Sequence, residues 1–171
     1  EDCMRVLRLL NEEEGKKYLT NLGVTNSDTE KLPLLGISSI GNLLASIKTA
    51  KYFEMDENDV IFTIFTDSFD MYKSRLKELE NEKGKYSQIQ AAKDWEGPLS
   101  HQNIDFFKEF TYYERKAVHN LKYFTWVEQQ GKTYEEINEQ WNPEYWRSLF
   151  EDEVSYFDKL IEEFNEKVGL K

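Results

Sequence analysis

Residues Val60-Ile61-Phe62-Thr63-Ile64-Phe65-Thr66 carry the one strong strand signal in the chain. The run is β-branched and aromatic, and apolar at consecutive positions, the pattern of a strand covered on both faces. Such a strand needs hydrogen-bonded neighbours, because a buried backbone N–H or C=O without a partner is costly. Leu34-Leu35-Gly36-Ile37 is the only second candidate, and it is short. The expectation is an α/β fragment, predominantly α, with one or two strands whose sheet is completed elsewhere.

The remaining segments read as helices and turns. Met4, Val6, Leu7, Leu9 and Leu10 predict a helix that Asp2 could cap, and Glu12 to Leu22 predicts a second helix closed by Gly23. Ser27-Asp28-Thr29-Glu30 fits a short capped turn before Pro33. Ser38 or Ser39 is placed to cap a helix of about four turns that reaches Phe53. Met71, Tyr72, Leu76 and Leu79 mark a further helix up to Gly84. Beyond it, Tyr86 to Trp95, Ile104 to Phe110 and Thr111 to Gln130 are helical candidates. Thr133 and Glu136 have the spacing of a capping box, and Asn142-Pro143 opens a final helix to about Val168.

Composition narrows the function classes. Aromatic residues make up 15% of the chain, enough to fill a core, so a folded protein is expected. The net charge of −11 opposes binding to nucleic acid or to an anionic membrane, and no basic run longer than Lys16-Lys17 offsets it. A single cysteine, Cys3, rules out an internal disulfide, and the two histidines, His101 and His119, have no metal-site spacing. No apolar run is long enough to span a bilayer and no signal peptide opens the chain, so the cytoplasm is the default location. An opening on Glu1 rather than Met suits a fragment, a processed chain or an excised piece.

Two motifs carry chemistry. Gly36-Ile37-Ser38-Ser39-Ile40-Gly41-Asn42 is a small-residue turn feeding a helix, suited to an anion or a polar ring atom. With Leu43-Leu44-Ala45-Ser46-Ile47-Lys48 it resembles the Gly-Ile-Ser-Ser motif of cysteine synthases. These are fold-type II enzymes dependent on pyridoxal phosphate, related to the cystathionine β-synthases. Further along, such enzymes have an apolar strand ending in Pro-Asp/Ser-Ser, then a tyrosine four residues beyond the serine. Val60 to Phe65, Thr66-Asp67-Ser68 and Tyr72 are similar to that arrangement. Arg5 to Glu12 and Leu121 to Thr133 resemble a narrower group of bacterial cysteine synthase-like proteins with a helical extension. The broad match spans about residues 34–80 and the narrow one most of the chain. Ile40, Phe69 and Thr66 depart from the family's glycine, glycine and proline.

The resemblance implies one or two parallel strands of a fold-type II sheet, with residues 1–84 as the C-terminal part of the catalytic core and 85–171 as a helical extension. It implies pyridoxal phosphate as cofactor, with Gly36, Ser38 and Ser68 as cofactor-binding residues. Ser38 is the favoured partner of the pyridine nitrogen, and Ser68 is the alternative, as in the dehydratase branch. Outside that role Ser68 reads as a helix cap and Asp67 as a solvated turn residue. No catalytic residue lies in this chain, because the Schiff-base lysine, the carboxylate loop and the phosphate loop fall earlier in family members. The implied activity is β-elimination or β-replacement on a small amino acid by a homo-oligomer. The rival expectation is a free-standing helical interaction module without a cofactor. Asp56-Glu57-Asn58-Asp59 lacks the glycine and closing glutamate of a calcium loop and reads as a solvated turn. His119 reads as a packed or surface histidine. Tyr145, Trp146, Phe150, Phe157 and Phe164 form an aromatic stripe expected in a core or an interface.

Overall fold

The structure is a computed structural model that describes residues 1–170. Helix accounts for 68% of the chain, and the described residues contain no strand. Ten α-helices are present among the described residues: α1 (Asp2–Asn11), α2 (Glu13–Asn21), α3 (Asn26–Thr29), α4 (Ile37–Tyr52), α5 (Lys73–Lys83), α6 (Gln88–Trp95), α7 (Tyr112–Asn120), α8 (Tyr134–Glu139), α9 (Pro143–Ser148) and α10 (Val154–Lys167). The chain divides into two compact units, Glu1–Phe107 and the residues from Lys108 onward. In the first unit α6 packs on α1 and α2.

The first unit is built around α1. Val6, Leu7, Arg8, Leu9 and Leu10 are all buried, so the second half of this helix is covered on every side. It contacts α2, α4 and α6, and its apolar residues meet Leu19, Ile40, Leu44, Tyr86 and Ala91 in one core. Each fully buried Leu or Ile in such a cluster contributes about 1.5–3 kcal/mol. Asp2 lies in the first turn of α1 and does not cap it; the N-cap is Glu1, without a side-chain bond. Gly23 and Gly84 follow α2 and end α5 with φ of 100° and 78°, left-handed values that glycine adopts without steric cost. The segment after α6 returns to α4, where Lys48 pairs with Asp105 at 2.6 Å and Lys51 donates to the Gln102 carbonyl at 2.7 Å.

The expected parallel strands are absent, which corrects the α/β reading. Val60 to Thr66 has no regular structure, and Val60, Phe62 and Ile64 are 70%, 94% and 73% exposed. The physical reason is the lack of a partner. Leu32–Leu34 forms a 3-10 turn and Ile37 already belongs to α4, so the second candidate strand is spent on the entry to a helix. β-propensity records fit to a sheet, and without a neighbour it creates none. Ile104 to Phe110 is also not helical; it is an irregular segment in which Phe106 has a φ of 55°.

The second unit is held by caps and by a small aromatic cluster. The Thr133–Glu136 capping box forms as its spacing predicts, and a second box joins Thr111 and Glu114. Lys108 and then Thr111 bond the Glu114 carboxyl, which lowers its pKa to about 2. Asn142 caps α9 with Pro143 in its first turn. Trp141 packs edge-on against Tyr112 and beside His119, with the Lys116 ammonium 4.6 Å from its ring centre. The long final helix is interrupted by a π-type turn at Leu149–Glu153, and α10 has no buried residue. Thr133→Ala is expected to destabilise this unit by about 1 kcal/mol, and Thr133→Ser to restore most of the loss. Thermal melts by circular dichroism would check both.

Candidate functional site

The two motifs separated in sequence meet at Asp67. The Gly36 N–H donates to the Asp67 carbonyl at 3.0 Å. The Ser38 and Ser39 N–H groups donate to the two carboxylate oxygens, at 3.1 Å and 2.8 Å. The Ser39 hydroxyl lies 2.8 Å from both the Asp67 carbonyl and Oδ1, and gives its single proton to one of them at a time. The Tyr72 hydroxyl donates to Oδ2 at 2.6 Å. Asp67 is therefore the cap of α4, supplied from outside the helix. It satisfies N–H groups that have no partner within the helix and places a negative charge at its positive end. The sequence expectation gave this role to Ser38 or Ser39. Instead Gly36 is the N-cap residue and makes no side-chain bond.

Gly36 is required by space. A Cβ at this position would lie 2.5 Å from the Asp67 carboxyl carbon. The electrostatics follow from the same contacts. Burial works against ionisation of Asp67, but the hydrogen bonds from Tyr72, Ser39 and Ser38 outweigh it and hold the carboxyl well below the usual range. The bond to Asp67 raises the pKa of Tyr72. Asp67 is thus an anion whose acceptor sites are already committed.

Of the residues expected from sequence, Gly36 is buried against Asp67, Ser38 is exposed and Ser68 is half-buried. The Ser38 hydroxyl makes no hydrogen bond among the described residues, although its N–H is engaged. Ser68 occupies the N-cap position of the Phe69–Tyr72 turn without a side-chain bond, and its carbonyl accepts from the Met71 N–H at 3.3 Å. All three belong to the two segments joined by Asp67. Sequence reasoning missed the capping role of Asp67 and the buried role of Ser39. No local pattern signals a cap supplied from 28 residues away.

This chemistry tests what a pyridoxal phosphate could find here. At the α4 N-terminus the Ser38 and Ser39 N–H groups are taken by the Asp67 carboxylate, which occupies the place an anion would fill. A neutral hydroxyl for a ring edge is present at Ser38. A cofactor phosphate would have to be held by other residues.

Other candidates are explained locally. Asp56 and Asp59 accept from N–H groups within their own turn, at 2.8 Å and 2.9 Å. In the second unit His119 is buried, its Nε2 has no hydrogen-bond partner among the described residues, and burial and then Lys122 lower its pKa. Among the described residues no group of three or more His, Cys, Asp or Glu could hold a metal ion, and no helix is long and apolar enough to cross a membrane. No protein-family model matches this chain, and neither a curated protein nor a solved structure matches it.

Proposed function

We propose that this chain is the C-terminal portion of a pyridoxal-phosphate-dependent lyase or transferase of the cysteine synthase-like kind. The parent acts on a small amino acid by β-elimination or β-replacement, in the cytoplasm and as a homo-oligomer. The chain is not catalytically complete alone. One observation carries this reading. Gly36-Ile37-Ser38-Ser39 and Asp67-Ser68 with Tyr72, the two motifs that the family resemblance pairs, lie against each other through Asp67, with the Ser38 hydroxyl left free. When bound, the cofactor supplies the electron sink for chemistry at the amino acid. Ser38 would offer its ring nitrogen a neutral hydroxyl, a partner that favours the unprotonated ring and a milder sink. Asp67, held ionised but fully engaged, fixes the turn that presents Ser38. The lysine that binds the cofactor and the phosphate loop belong to residues outside this chain.

The test uses the native protein. Borohydride reduction followed by peptide mapping is expected to place the cofactor on a lysine outside Glu1–Lys171, and this chain alone is expected to take up none covalently. A stoichiometric adduct on a lysine of this chain would sink the proposal. In the parent, Ser38→Ala is expected to lower turnover while cofactor content stays unchanged. A silent Ser38→Ala beside an impaired Ser68→Ala would transfer the role to Ser68.

A second reading is favoured by one feature. The exposed apolar residues of α10, including Tyr156, Phe157, Ile161 and Phe164, are what an interaction module presents. That reading expects a native protein without cofactor, so the same mapping separates the two.

A further inference from the structure

We infer that the cavity between α1, the end of α5 and α6 binds a small oxyanion of the phosphate class. It has a volume of about 220 Å³ and is independent of the Asp67 cluster. Four cationic side chains line it, Arg5, Arg8, Lys83 and Lys85, against a single carboxylate, Asp94. In a chain of net charge −11 this local balance runs opposite to the average field.

The site is built, with two cations fixed and two free. Arg8 is only 5% exposed; its guanidinium lies 4.8 Å from the Tyr86 ring centre, donates to the Gly84 carbonyl and pairs with Glu12 at 3.2 Å. Arg5 pairs with Asp94 at 2.8 Å. Asp94 also accepts from Gln90 and from the Tyr86 hydroxyl, at 2.9 Å each. Asp94 and Glu12 therefore pair with the two arginines, and Asp2 lies a further 3.5 Å from Arg5. Lys83 and Lys85 remain, exposed at the rim and without an ion pair among the described residues. Two exposed ammonium groups beside guanidinium donors, with four cations against the carboxylates of Asp2, Glu12 and Asp94, suit a tetrahedral oxyanion with several acceptor oxygens. Ser87 and Gln90 add neutral hydrogen-bonding groups to the same wall.

Two sources share this chemistry, free phosphate and the phosphomonoester end of a small molecule. The experiment titrates the whole chain by calorimetry with inorganic phosphate and, separately, with O-phosphoserine, both at constant ionic strength set by sodium chloride. Saturable binding of one ion per chain is expected. Lys83→Gln/Lys85→Gln is expected to weaken it at least about tenfold, since each lost charge-assisted bond is worth that much. Both lysines are exposed, so an unchanged circular dichroism spectrum will accompany the loss. Tighter binding of O-phosphoserine assigns the site to a phosphomonoester, and tighter binding of phosphate assigns it to the free ion. Saturable binding of neither, or binding untouched by the double substitution, overturns the inference.

Discussion

Asp67→Ala is expected to destabilise the Glu1–Phe107 unit by about 2–4 kcal/mol, the sum of a lost helix cap and lost bonds to a charged acceptor. The substitution removes the acceptor for the Ser38 and Ser39 N–H groups, for the Tyr72 hydroxyl and for one option of the Ser39 hydroxyl. Ser39 is buried, so its N–H cannot turn to water instead. The loss should be local as well as global. Amide exchange at Ser38 and Ser39 is expected to accelerate more than at Leu7 or Leu9 in the core. Acid should mimic the substitution. The folded-state pKa of Asp67 lies below its ordinary 3.8, so its contribution is complete above that value and is lost as the pH falls through the folded-state pKa. Asp67→Asn keeps one acceptor oxygen and no charge. It is expected to lose less stability at neutral pH and to flatten the acid limb below about pH 4. Equal exchange rates in Asp67→Ala and the unmodified chain would show that the cap carries no energy.

The parts of this fold that sequence made legible are those specified by neighbours in the chain. Gly23 and Gly84 stop helices because the left-handed conformation they adopt is steric and local. Asn142-Pro143 and Thr133 with Glu136 start helices through bonds that span three residues or fewer. What needed a distant partner was misread or missed. Val60 to Thr66 has the composition of a strand, but a sheet requires a second backbone that this chain spends on Leu32–Leu34 and α4. Arg8 stands in an apolar run and gives no sign that it will be buried, because its cover comes from Tyr86 and Gly84. Asp67 reads as a solvated turn residue until Ser39 is brought to it. At the candidate site the resemblance drew attention to Gly36, Ser38, Ser68 and Tyr72, which lie on the two segments that meet at Asp67. The residue that joins those segments came only from the geometry.

Gly15→Ala is expected to destabilise the same unit by about 1–3 kcal/mol, although it replaces a helical glycine by the best helix former. In an exposed helix that exchange gains about 1 kcal/mol. Here the gain is overwhelmed by contact. Gly15 is buried where α2 turns back on α1 at Glu12, and an added Cβ would lie 2.1 Å from the Leu9 carbonyl oxygen and 2.9 Å from its Cα. Those atoms are backbone in the most buried stretch of α1, so no side-chain rotation relieves the overlap. Either the two helices separate and open the core around Leu7 and Leu19, or α2 shifts along its axis; both lose apolar burial. Gly41 is the internal control. It also lies in a helix, α4, but a Cβ there would meet only Cys3 Sγ at 3.7 Å, an ordinary contact. Gly41→Ala is expected to raise stability by about 0.4–1 kcal/mol. Denaturant unfolding of the two variants beside the unmodified chain would decide the point. Opposite signs support the close approach of α1 and α2, whereas a stabilised Gly15→Ala would refute it.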